Sequence, residues 1–93
     1  MKRKPRRSKL RIIIDILKII DEENGARITR ILYGANLPYD RLLKYIEELK
    51  EKGFITEKRE NNAVKYYLTE NGINFLMEFR RIESFIEAFG ITF

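Results

Sequence analysis

From residue 8 onward, apolar side chains recur with a helical period. Leu10, Ile13, Leu17 and Ile20 make one stripe, and Ile12, Ile16 and Ile19 widen it into a surface that a single neighbour cannot cover. The spacing predicts a helix from Ser8, a suitable N-cap, to about Asn24, buried on two sides and ended by Gly25 as the left-handed residue. A shorter helical segment over 27–33 places Ile28, Ile31 and Leu32 inward, and Gly34, Ala35 and Asn36 turn the chain. Leu42, Ile46 and Leu49 then recur at i, i+4 and i+7, which predicts a third helix over 38–52. Pro38 suits its first position, where the missing N–H has no intrahelical partner. Gly53 is placed to cap its end, with Leu49 and Phe54 touching across the cap.

The period then changes. In "FITEKRENNAVKYYL", β-branched and aromatic residues flank Glu60, Asn61 and Asn62, the pattern of two short strands joined as a hairpin. Thr69 is suited to cap a closing helix that reaches about Phe89, with Gly90 and Ile91 finishing it against Ile86. Phe75, Phe79, Ile82, Ile86 and Phe89 form a row spaced four, three, four, three, which is a heptad seam. A small domain has little internal use for a second seam, so this row is the expected interface of a homodimer. The competing expectation is that the row folds back onto the wide face of the first helix. The fold class is therefore mainly α with a small β-hairpin.

Charge changes the picture at the N-terminus. Lys2, Arg3, Lys4, Arg6, Arg7, Lys9 and Arg11 put seven positive and no negative charges into the first eleven residues. The remaining 12 basic and 14 acidic residues nearly cancel, so the net charge of +5 belongs to an arm on an almost neutral body. Such an arm attracts phosphate. An anionic membrane surface or a merely solubilising tail are the other readings, and no hydrophobic anchor accompanies it. With no cysteine or histidine in its 93 residues, the chain lacks thiolate and imidazole chemistry and the usual zinc ligands. No glycine-rich phosphate loop or suggestive carboxylate pair is present. No enzyme, cofactor, metal or small-molecule ligand is expected, and charge interrupts every apolar stretch too often for a membrane span. The expected location is cytoplasmic, on the nucleoid.

Helix, helix, tight turn, helix, hairpin and closing helix is the order of a winged helix-turn-helix. In "RSK" at 7–9, "GAR" at 25–27, "ANL" at 35–37, "KYIEELKEKG" at 44–53 and "YYLTENG" at 66–72, the chain resembles the small archaeal winged-helix DNA-binding proteins. Some of these dimerise through a C-terminal coiled coil. The resemblance divides the chain into a basic arm (1–7), a winged-helix domain (8–69) and a dimerisation helix with its cap (70–93), and implies that Ile73, Leu76 and Met77 pack on the core.

The resemblance makes 38–52 the recognition helix, whose N-terminal half enters the major groove in this class of fold. Tyr39, Arg41 and Lys44 are its candidate contacts, with Arg41 either reading guanine or holding phosphate. Partial burial is the plainer reading of Tyr39, and Asp40 supports the helix N-terminus. Glu47, Glu48 and Glu51 are expected to be held away from DNA. Arg27, Thr29 and Arg30 on the preceding helix would meet the backbone, and Lys58, Arg59 and Lys65 flank a wing tip that contacts phosphate or is simply solvated. The expected partner is double-stranded DNA, bound by a dimeric regulator or a chromatin-type architectural protein. The alternative is a protein-interaction module whose arm binds RNA or an acidic partner.

Overall fold

The computed structural model describes residues 7–91 of the chain. Ser8 starts the first helix by accepting a hydrogen bond from the Arg11 amide at 3.0 Å, and α1 runs Lys9–Glu23. Its end differs slightly from expectation. Asn24, at φ 50°, takes the left-handed position, with its amide on the Asp21 carbonyl and the Gly25 amide on that of Ile20. Asparagine tolerates this conformation because its short polar side chain bonds locally. Gly25 is left-handed as well, and the Tyr67 ring stands 2.6 Å from where its Cβ would be.

The helix α2 spans Ile28–Ala35, two residues further than the expected end, and Asn36 at φ 54° turns the chain out of it. The next helix, α3, spans Tyr39–Glu51, and Pro38 is its N-cap rather than its first helical residue, with ψ 149° still extended. Gly53 and Phe54 close α3 through amides on the Lys50 and Leu49 carbonyls, both at 3.0 Å. The strands β1 (Ile55–Glu60) and β2 (Ala63–Leu68) pair antiparallel from Ile55–Leu68 to Glu60–Ala63. Asn61 and Asn62 between them both have positive φ, as a two-residue type I′ turn requires. Ala26 adds a bridge to Tyr66, tying the loop before α2 to the hairpin.

The core gathers around α1, which buries seven of its residues, among them Ile14, Ile16 and Leu17. Ile31, Leu42, Ile46, Leu49, Ile55 and Leu76 close over it from the other elements. Leu10, expected in the main stripe, lies 46% exposed at the first turn of α1.

The last helix, α4, spans Glu70–Glu87, and its start is locked to the base of the hairpin. The Thr69 amide donates to the Phe54 carbonyl at 3.0 Å, while the Thr69 hydroxyl donates to the Gly53 carbonyl and accepts from the Gly72 amide. This crossing is so close that a Cβ on Gly72 would stand 2.0 Å from the Phe54 carbonyl oxygen. Alanine ordinarily stabilises a helix relative to glycine, yet Gly72→Ala is expected to destabilise the protein by ~1–3 kcal/mol, the usual cost of overpacking. Urea unfolding will show the midpoint falling; a rise would mean that the crossing opens freely.

Candidate nucleic-acid interface

Burial of Leu42, Ile46 and Leu49 fixes how α3 is rolled about its axis, and so decides which side chains it offers outward. Tyr39, Asp40, Arg41 and Lys44 all emerge on the exposed side, and Tyr45 is half-buried. Tyr39 is thus more open than its sequence position suggests. Among the described residues, neither Arg41 nor Lys44 has an ion-pair partner. Together with Lys9 from the start of α1, with Tyr45 and with Glu48, they line an open concavity of about 470 Å³.

One acid shares that concavity. Glu48 belongs to the same surface as Arg41 and Lys44 rather than standing away from it. The Lys9 ammonium lies 3.0 Å from its Oε2, an ion contact without the alignment of a hydrogen bond, and that oxygen is otherwise buried. Lys9 and Glu48 are 39 positions apart, and no local pattern reveals such a meeting.

The other basic candidates divide into two groups. Arg27 and Thr29 are exposed at the start of α2, but Arg30 is ion-paired with Glu23, which holds its guanidinium more firmly protonated. Arg11 bonds Glu83 at 3.1 Å and lies 5.3 Å from the centroid of the Phe79 ring. Arg7 donates to Asp15 at 2.8 Å and to the carbonyls of Ala35 at 2.5 Å and Asn36 at 3.3 Å. Lys2, Arg3, Lys4 and Arg6 lie outside the described residues.

On the hairpin, Lys58 and Lys65 are directly opposite each other and so share one face, whereas Arg59 pairs with Val64 on the other. Like charges facing across strands repel and favour an anion between them. Lys58 also lies 5.1 Å from the centroid of the Tyr67 ring, and the Tyr67 hydroxyl donates to Glu60 at 2.7 Å. On the inner side the Lys50 ammonium, bonded to Glu57, is pushed up, and burial pushes the Tyr66 phenol up. Both shifts reinforce the ionic state each group already has at neutral pH.

The closing helix departs most from expectation. Leu76 is buried as expected, but Ile73 and Met77 are exposed, while Phe75 packs half-buried 4.7 Å from Phe54 and Phe79 is 8% exposed. Gly72, Leu76, Phe79, Glu83 and Ile86 lie within one narrow arc of the helix, and Glu83 meets Arg11 and Lys18 of α1, so that arc is the inward face. The expected row is thereby split. Phe75 and Phe79 join the protein's own packing and Ile86 is half-buried, whereas Ile82 and Phe89 stay outside with Phe85, 66% exposed, and Ile91. The Phe85 and Phe89 rings sit 5.2 Å apart. Phe85 was legible as the i+3 neighbour of Ile82, but the strict heptad passes over it.

A helix-turn-helix formed by α2 and α3, backed by α1 and followed by a two-stranded wing, defines the winged helix-turn-helix class. The chain matches the winged helix-turn-helix family over residues 6–87 and belongs to it. A protein of the archaeon Methanocaldococcus jannaschii is 41% identical over 70 residues, covering 75% of this chain and 67% of its own. The structure is similar to that of Sso10a-2, a DNA-binding protein from Sulfolobus solfataricus, with a TM-score of 0.69 and 32% identity over 88% of this chain and 87% of that one. ZitR of Lactococcus lactis, solved in complex with DNA, shares the fold with a TM-score of 0.68 at 18% identity, covering 84% of this chain and 55% of its own. Among the described residues no helix is long and apolar enough to cross a membrane.

Proposed function

We propose that the chain binds double-stranded DNA through the N-terminal half of α3, as a homodimer joined through the exposed end of α4. The observation that carries this reading is the convergence of Lys9, Arg41 and Lys44 on the outward side of α3, where two of the three cations have no ion-pair partner among the described residues. Cations spaced along one helix and its neighbour match the repeating charge of a phosphate backbone. The family to which the chain belongs, and the likeness to the DNA-binding protein Sso10a-2, support the same reading. Arg27 at the start of α2 and the Lys58–Lys65 pair on the wing supply flanking phosphate contacts.

Whether the protein regulates particular genes or coats DNA as an architectural protein turns on Arg41. A guanidinium that reads a base discriminates between sequences, and one that holds phosphate does not. We place Arg41 on a base edge, because it sits in the first turn of α3 beside the exposed Tyr39. Arg41→Ala is expected to flatten preference among sites by ~1–3 kcal/mol in mobility shifts against a panel selected from random DNA. Equal loss on every probe, or no enriched motif, would favour the architectural role. Absence of any duplex binding at low salt would instead favour the interaction-module reading.

A further inference from the structure

We propose that Glu48 is a specificity-determining residue of the DNA-binding face: its carboxylate, fixed among the cations of α3, turns phosphate away from that part of the helix and admits a base edge. The inference rests on the DNA-binding reading above. Arg41, Lys44, Tyr45 and Glu48 fall at i, i+3, i+4 and i+7, so one stripe of α3 carries all four toward the concavity they line with Lys9. Glu48 stands one helical turn beyond Lys44, about 6 Å along the axis. A glutamate on a helix surface is ordinarily free to swing into water. Here the side chain is only 29% exposed, its Oε2 is buried, and the Lys9 ammonium lies 3.0 Å from that oxygen. The carboxylate is held in the concavity.

A carboxylate in this place acts on DNA in two ways. It neutralises Lys9, which would otherwise offer phosphate a third cation beside Arg41 and Lys44. It also sets a negative charge where a phosphate track that follows Arg41 and Lys44 along α3 would run into it. Nonspecific binding consists almost wholly of such phosphate contacts. A base edge is different, because cytosine and adenine present amino donors in the major groove, which a carboxylate accepts rather than repels. The acid therefore penalises α3 lying along the backbone more than α3 seated in the groove, and specificity grows from what is rejected as well as from what is read. Glu47 and Glu51 line a neighbouring surface with Leu43, so the same charge there is set apart from Arg41 and Lys9.

The test uses the full-length protein with Glu48→Gln, which keeps the shape of the side chain, and with Glu51→Gln, which removes the same charge from the same helix outside the concavity. Each is titrated over a salt series against a duplex carrying the motif selected from random DNA and against a duplex of scrambled sequence. Glu48→Gln is expected to tighten binding to the scrambled duplex about tenfold at low salt and to steepen its salt slope by about 0.9, as Lys9 becomes free to neutralise one phosphate more. Affinity for the motif should change little, so the ratio between the two probes falls by the same factor, while Glu51→Gln leaves it unchanged. Partial unfolding would weaken both probes alike and leave the ratio where it was. An unchanged or raised ratio in Glu48→Gln overturns the proposal, and so does an equal fall in Glu51→Gln, which would reduce the effect to net charge. A fall produced only by weaker binding to the motif overturns it too, and would make Glu48 a base contact. A native protein that binds duplex but enriches no motif overturns it while DNA binding stands; one that binds no duplex at low salt brings down the DNA reading itself, so the two failures are distinct.

Discussion

Phe85→Glu and Ile82→Glu are expected to produce a folded monomer whose affinity for a two-fold DNA site falls roughly hundredfold or more. Both side chains lie outside the core, at 66% and 46% exposure, so a carboxylate at either position is solvated in the monomer and costs the fold little. In a dimer joined through this end of α4 the same carboxylate would be buried without a partner, which is costly. Covering an aromatic or aliphatic side chain contributes roughly 1.5–3 kcal/mol, and Ile82, Phe85, Phe89 and Ile91 are all exposed towards this end of the chain. A dimer holds two recognition helices at fixed separation, so the second half-site is engaged at a raised effective concentration. The loss should shrink on half-site probes. Phe79→Glu would mislead, because Phe79 is buried within the chain and its replacement is expected to unfold the protein. Sedimentation and circular dichroism read assembly and fold separately. A native protein that is monomeric at tens of micromolar would overturn the dimer, and dimeric charged variants with undiminished DNA binding would move its purpose elsewhere.

Replacing Lys2, Arg3, Lys4 and Arg6 with glutamine is expected to weaken binding to all duplexes alike. Each phosphate that is no longer neutralised should remove about 0.9 from the slope of log K against log salt, so removing all four cations changes the slope by about 3.6. The effect is largest at low salt, where counterion release contributes most to affinity. Fluorescence anisotropy over a salt series measures it directly. An unchanged slope would remove the arm from the DNA-binding surface and leave Arg41, Lys44 and the wing to carry it. Arg7 is kept in this variant because its guanidinium is engaged with Asp15 and the α2 carbonyls.

The elements were legible because each rests on a local pattern. The 3.6-residue period of α1, the period-2 run around Asn61–Asn62 and the caps at Ser8, Gly53 and Thr69 depend only on neighbours within a few residues. Boundaries moved where backbone chemistry competed, as at Asn24, which takes the left-handed position one residue before Gly25. The faces of α4 were harder. Its apolar residues nearly encircle it, so sequence alone could not decide between the row containing Phe79 and the pair Ile73 and Met77 as the inward side. That choice was made by Gly72, whose lack of a side chain lets α4 press onto Phe54 and so sets its rotation. At the candidate interface the exposed cations could be named from the sequence, but their internal partners could not. Lys9 with Glu48 and Arg11 with Glu83 are meetings between distant positions, created only when α1 is laid against the other helices, whereas Arg7 meets Asp15 only eight residues on.

The asparagine turn of the hairpin limits how this wing can evolve. Because Asn61 and Asn62 alone join the strands, the pairing of Lys58 with Lys65 is fixed by counting outward from them. A single inserted residue below the tip would either bulge one strand or slip the register, and a slip by one carries every side chain to the opposite face. Both lysines would then no longer point the same way. Growth by two residues on each strand keeps both the alternation of hydrogen-bonded pairs that the turn closes and the existing faces. The wing can thus change its reach in steps of four residues while keeping its charge, and lineages that use it to touch DNA should differ in its length by multiples of four.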